Sequence, residues 1–193
     1  MKDVGSENEI PAKSAEPKRK SGVVRIRPME VDDLAPVFHL GETLFTAADA
    51  PNLYRTWDEF EVVGLFQSDW ATCFVAEYNE KLAGFALGTI ITKTHSAWKY
   101  GHLIWLGVEP EYMRKGVAEK LFRHFRDVTS EEGVRMLIVD TEADNLAALR
   151  FFRKMGFSSP QEHIYLSLNL ASRQRGTANG RKNGPPKRPG KQR

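Results

Sequence analysis

Apolar positions recur along residues 23–170 with two periods, about 3.6 and about 2 residues, and the switches between them predict the elements. Residues 23–27 alternate as a first strand, which Pro28 ends. Over residues 31–45, Leu34, Val37, Phe38, Leu44 and Phe45 fall near helical spacing. Asp32 and Asp33 favour that helix's first turn, and Pro36 and Gly41 make it imperfect. Residues 46–56 are polar and read as a loop. Residues 57–66 form a second amphipathic helix, with Thr56 or Asp58 as its cap.

Residues 73–77 and 82–92 read as two strands joined by the turn Tyr78-Asn79-Glu80-Lys81. Gly84 and Gly88 interrupt the second of them, which predicts a bulge or a close backbone approach. Residues 101–108 are almost continuously apolar, as in a central strand. Residues 115–132 form a long helix with Val117, Leu121, Phe125 and Val128 inward, and Gly133 as its C-cap. An apolar strand follows over 134–140. The next helix, over 144–155, is capped by Asp144 and closed by Gly156, with Ala148, Phe151, Phe152 and Met155 as its stripe. Ile164, Leu166, Leu168 and Leu170 alternate in a final antiparallel strand over 163–170. The order β-α-α-β-β-β-α-β-α-β-β predicts an α/β fold with a mixed sheet and helices on both faces.

Composition narrows this picture. The 193 residues suit one domain with tails, long enough to bury a core. The expected division is a disordered tail over 1–22, a folded domain over 23–171 and a disordered basic tail over 172–193. The net charge of +3 conceals an asymmetry: residues 171–193 carry eight Lys/Arg and no acid, whereas the body between the tails carries 15 basic and 21 acidic residues. The one cysteine, Cys73, excludes an internal disulfide framework and suits a reducing cytosol. It lies in an apolar run and reads as an inert buried thiol. No signal peptide is expected and no apolar run approaches a membrane span, so the expected location is the cytoplasm. The five histidines are scattered without metal-ligand spacing, so no metal is expected, and there is no Gly-x-Ser-x-Gly elbow.

The chemistry gathers around residues 106–121. A strand end, a proline-marked turn and a basic loop with Gly116 lead into a helix start, whose first N–H groups and dipole form an anion seat. Gly116 permits positive φ and close approach, while Val117 and Ala118 keep the approach narrow. Arg114 and Lys115 add charge, so a pyrophosphate suits the loop. Neither G-x-G-x-x-G nor a Lys followed by Ser or Thr is present.

The segment Val108-x-Pro110-x-x-x-Arg114-Lys115-Gly116-Val117-Ala118, with this element order, resembles the GNAT superfamily of acyl-CoA-dependent N-acyltransferases. A second segment carries the same resemblance: Asn145-x-x-Ala148-x-x-Phe151-Phe152-x-Lys154-x-Gly156-Phe157. The resemblance implies a largely antiparallel sheet of six to seven strands, splayed between the fourth and fifth. It implies acetyl-CoA as acyl donor, its pantetheine paired with backbone near Leu106, Gly107 and Val108. The pyrophosphate is expected on the amides of Met113, Arg114, Lys115, Gly116, Val117 and Ala118, and Asn145 near the pantetheine. Two departures stand out. Met113 occupies a position usually Arg or Gln. Phe152 stands where a tyrosine general acid is frequent and cannot donate a proton, which leaves another group, water or unassisted thiolate departure.

The expected reaction is direct attack of a neutral primary amine on the acetyl thioester, with the oxyanion met by a backbone N–H near residues 106–108. His102, six residues before Val108, is the favoured base, because histidine titrates in the right range. Glu77, Asp140 and Glu142 are weaker alternatives. Tyr165 and Tyr112 are the candidate acids, with His163 no better placed. Acceptor recognition is expected from Trp57, Asp58, Trp98 and Tyr100, with Asp49, Tyr54, Glu59 and Glu61 nearby in sequence. The expected partners are an amine of a protein, peptide or small molecule, nucleic acid only through residues 173–193, no membrane, and a homodimer as the candidate assembly. Two other readings remain open: a non-catalytic acyl-CoA-binding module, and a nucleic-acid- or ribosome-associated protein acting through the basic tail.

Overall fold

The computed structural model describes residues 22–46, 56–95, 97–162, 164, 166 and 168. Among these, β1 (Val24–Pro28), β2 (Cys73–Tyr78), β3 (Lys81–Thr92), β4 (Lys99–Val108) and β5 (Val134–Ile138) form one sheet in sequence order. The first three pairings are antiparallel, and β4 with β5 is parallel. The helices are α1 (Leu34–Leu44), α2 (Glu59–Asp69), α3 (Val117–Glu131) and α4 (Leu146–Lys154). The fold is thus the expected mixed, largely antiparallel α/β architecture.

Local chemistry explains the joints. Asn79 and Glu80, at φ 51° and 67°, form a two-residue hairpin turn whose positive dihedrals match the twist of β2 and β3. Pro36 falls in the first turn of α1, where its missing N–H has no helical partner to lose. A Cβ on Gly41 would lie 2.0 Å from Cε2 of Trp57, so this glycine admits the indole against the helix backbone. The Asp58 side chain accepts from the Glu61 N–H at 2.7 Å and caps α2. α4 is capped by Asn145, which accepts from Ala148 N at 3.0 Å, and not by Asp144 as the sequence suggested.

The sheet separates two cores. On one face, Val117, Leu121, Phe122 and Phe125 of α3 pack on Phe74, Ala86 and Leu103, with Phe151, Phe152, Met155 and Phe157 at the margin. On the other, Val37, Leu40, Trp57 and Val62 cover Cys73, Val75, Phe85, Leu87 and Trp105. Each fully buried large side chain contributes roughly 1.5–3 kcal/mol. β2 and the middle of β3 are buried on both faces, so they read as apolar runs instead of alternating.

Met1–Phe157 forms one compact unit and Ser158–Arg193 a second. In the second, Ile164, Leu166 and Leu168 belong to no strand and are exposed. Five strands are therefore present among the described residues where six to seven were expected. Alternation makes a strand only when a neighbouring ladder takes up its backbone groups. His163 and Tyr165, and the tails at 1–21 and 172–193, lie outside the described residues. No described helix is long and apolar enough to cross a membrane.

Candidate active site

The site begins where two strands part. Among the described residues, β4 pairs with β5 only as far as His102, opposite Ile138, and then runs six residues further to Val108 beside β3 alone. Glu109 donates its N–H to Ala83 O at 3.0 Å. Antiparallel alternation then turns the N–H and C=O of Gly107 toward β3 as well, and those of Leu106 and Val108 toward the open side. This is an edge that an extended, amide-bearing chain can extend by strand-like pairing.

A bulge sets which side chains flank that edge. Leu87 pairs with Trp105 and Gly88 with Leu103, leaving Ile104 as an extra residue of β4. Leu103 joins the α3-side core, whereas Ile104 and Trp105 both face α1 and α2. A Cβ on Gly101 would point at Leu137, Val134 and Thr129 beneath α3, so His102 points the opposite way, toward the α1–α2 face. Gly88 is needed here because a Cβ would meet Phe125 at 2.5 Å and His102 O at 2.6 Å.

The open edge leads to the start of α3. Gly84 ties the two together: a Cβ there would lie 2.5 Å from Gly107 O, 3.2 Å from Val108 Cα and 3.3 Å from Val117 Cγ1. The turn Pro110–Tyr112 brings the chain round to Arg114 at φ 61° and Gly116 at φ 81°. Lys115 between them has negative φ, and such alternation turns successive amides into an anion-binding concavity. Among the described residues, nothing lies within 4 Å of the Cβ position at Gly116, so the approach is open. The first N–H groups of α3, at Val117 and Ala118, face the same approach without intrahelical acceptors. An open strand edge ending on an amide cradle fits a pantetheine arm followed by a pyrophosphate.

The cationic side chains are arranged differently from the sequence expectation. Lys115 places Nζ 4.7 Å from the Tyr78 ring centroid and 4.8 Å from that of Tyr112, so its charge is held by an aromatic pair. Met113 and Arg114 are exposed. Glu119, an acid in the first turn of α3, is held below the usual carboxylate range by hydrogen bonds from Lys154 and Arg123. Asn145 uses its side-chain oxygen as the α4 cap, and Phe152 packs edge-on against Phe151 and Phe157.

Among the proton-transfer candidates, His102 and Asp140 come together. His102 Nε2 lies 2.8 Å from Asp140 Oδ1, with the two side chains 16% and 45% exposed. β5 ends at Ile138, two residues short of the expected Asp140, and the alternation past Ile138 keeps Asp140 on the His102 face. Glu77 is instead bonded to Arg27 Nε at 2.7 Å. Tyr112 is buried against Tyr78. Glu142 is exposed. Tyr165 lies outside the described residues.

The acceptor-side candidates divide. Trp57 is buried among Phe45, Phe85 and Trp105 and donates its indole N–H to Phe38 O at 2.9 Å. Asp58 is the α2 cap. Tyr100 shares the face of His102 and lies under Lys93 Nζ at 5.1 Å, and Trp98 is exposed beside it. Asp49 and Tyr54 lie outside the described residues. Glu61 has a contact that its sequence position does not advertise: it accepts the Trp105 indole N–H at 3.2 Å and joins α2 to β4.

The profile of the acetyltransferase (GNAT) family matches residues 37–157, well over half of the chain. The chain belongs to the GNAT acetyltransferase family. N-alpha-acetyltransferase 30 of Schizosaccharomyces pombe is 31% identical to it over 87 residues, 44% of this chain and 55% of the relative. The [Ribosomal protein bS18]-alanine N-acetyltransferase of Escherichia coli K12 is 27% identical over 85 residues, 44% and 53% of the two chains. This GNAT chain thus spans about half the length of the curated relatives it matches. In fold it is similar to a chain of the crystal structure of the NatC complex bound to Gag peptide and CoA. That match has a TM-score of 0.63 and 18% identity, over 72% of this chain and 86% of that one.

Proposed function

We propose that this GNAT chain transfers an acetyl group from acetyl-CoA to a primary amine by direct attack. The observation that carries the reading is the continuous path from the open β4 edge at Leu106 and Val108 to the Gly116 amide cradle, with His102 at the fork where β5 leaves. Bound acetyl-CoA supplies an acyl group already activated as a thioester. Leu106 and Val108 hold its arm in register, and the amides of Val117 and Ala118 take the pyrophosphate charge. His102 receives the proton that a protonated amine must lose before its nitrogen can react. The pairing of His102 with Asp140 favours catalysis over a binding-only module, since anchoring a coenzyme needs no proton acceptor at the fork.

Among amines, the α-amine of a peptide or protein is favoured. Its pKa of about 8, against about 10.4 for a lysine side chain, asks less of an imidazole base. The names of the two sequence relatives point the same way. The test is thiol release from acetyl-CoA with a panel of short peptides, lysine-blocked peptides and an aminoglycoside. Turnover of free α-amines that survives lysine blocking supports the reading. Coenzyme binding without turnover of any amine favours the binding module instead.

A further inference from the structure

We propose that Asp140 is the positioning residue of the reaction: its carboxylate fixes the tautomer and the orientation of the His102 imidazole. The proposal rests on the acetyltransferase reading above and extends it to a group outside both sequence motifs.

An ionised carboxylate only accepts, so across the 2.8 Å contact Nε2 must be the donor. A neutral imidazole carries one N–H, and placing it on Nε2 puts the basic lone pair on Nδ1. The register places the contact at a functional point. His102 is the last residue of β4 paired with β5, and Asp140 stands two residues past its partner Ile138. The dyad therefore spans the fork itself. The backbone separates there into an edge open to one substrate and a face on which Tyr100 and Ile104 stay partly exposed, whereas Trp105 beyond them is covered by α1 and α2. His102 is largely covered, whereas Asp140 is 45% exposed. In its ionised form this carboxylate stabilises the imidazolium once that forms.

In the transfer step the amine nitrogen forms the N–C bond to the acetyl carbon. The C–S bond to the coenzyme breaks with its electron pair on sulfur, and the amine proton passes to His102 Nδ1. Asp140 remains ionised throughout and holds Nε2–H, and the imidazolium later releases its proton to the thiolate or to solvent. Asp140 touches neither substrate.

The test compares the wild type with Asp140→Asn, Asp140→Ala and Asp140→Glu, using the 193-residue chain. Nitrogen-15 spectra of the imidazole, recorded where His102 is neutral, read the tautomer without any substrate. The proton is expected on Nε2 in the wild type and redistributed in Asp140→Asn and Asp140→Ala. In turnover, kcat is expected to fall on the order of 100-fold in those two variants. The KM for acetyl-CoA should be unchanged, and Asp140→Glu should recover part of the loss. Melting temperatures near wild type are expected, because the side chain is half exposed. A wild-type proton on Nδ1, or unchanged tautomer and kcat in Asp140→Ala, overturns the assignment. Failure of the wild type to bind acetyl-CoA strikes the acetyltransferase reading and leaves the tautomer result to stand by itself.

Discussion

At the scale of single residues, environment decides which reactive groups stay silent. Burial pushes the Cys73 thiol up to about 12, with its Sγ set against Asp69 O. In the folded protein it stays protonated at pH 8, so thiol reagents should label it only after denaturant is added. Stoichiometric labelling of the native protein within minutes would contradict that burial. Because the folded value lies above the unfolded one of about 8.5, ionisation of the unfolded thiol erodes stability as pH rises past that point. Arg27 makes the opposite case. It bridges Asp33 and Glu77, and its guanidinium holds the Asp33 carboxyl below its ordinary value. Asp33 therefore adds stability above its unfolded pKa of about 3.9, and the gain disappears as pH falls through the lower folded value. Asp33→Asn should cost about 1–3 kcal/mol at pH 7 in urea unfolding and flatten the acid limb of the stability profile. An unchanged limb would mean that the pair does not couple to folding. The burial of Cys73 was legible in its apolar run, but the Arg27 network was not, because Arg27 meets Glu77 through the pairing of β1 with β2, which a linear pattern does not display. His102 was legible through its distance from Val108, but its partner was ranked only as a weaker base, since the parallel register of β4 and β5 is invisible in sequence.

At the scale of elements, the apolar periods located every α-helix and strand among the described residues of the first unit, and no end moved by more than three residues. The ends moved where side-chain caps decide them. Asp58 and Asn145 took the cap positions because their oxygens reach the N–H three residues on, which spacing alone does not choose between neighbours such as Asp144 and Asn145. The glycines of β3 were legible as sites of bulge or close approach, and Gly84 and Gly88 are both. Gly41 has a different meaning from the helix defect it resembles. In an exposed helix Gly→Ala is worth up to about 1 kcal/mol of stabilisation. Here the added methyl would sit within 2.1 Å of two Trp57 ring atoms, so Gly41→Ala should destabilise by about 1–3 kcal/mol. A rise in melting temperature on that substitution would show that the Trp57 packing can yield.

At the scale of the whole molecule, the division of labour follows the sheet. One face carries α3, whose N-terminus ends the β4 edge. The other carries α1 and α2, on the side to which His102 points. The fork between β4 and β5 connects the two, and in the proposed reaction one strand meets the coenzyme along its edge and the amine on its face. The two family motifs made the open amide cradle at Gly116 legible, since such a turn needs particular residues at fixed spacing. The acceptor half was not, because any soluble surface offers acids and aromatics, and Trp57 and Asp58 prove to be a core side chain and a helix cap. The eight basic residues in 171–193 are separate from that machinery in sequence. Deleting residues 172–193 should leave acetyl-CoA affinity within about twofold, as none of them belongs to the strand edge or the amide cradle proposed to hold the coenzyme. A loss of tenfold or more would bring the tail into coenzyme binding.

The most direct test of the account is calorimetric titration of the full chain with acetyl-CoA and with free CoA, beside Gly116→Glu. That substitution puts a β-carbon at φ 81° and a carboxylate into the open approach to the amide cradle. Micromolar binding of both ligands by the wild type is expected, with its loss in a variant that melts within a few degrees of the wild type. Absence of binding by the wild type, or undiminished binding by Gly116→Glu, would contradict the assignment of this loop as the coenzyme seat.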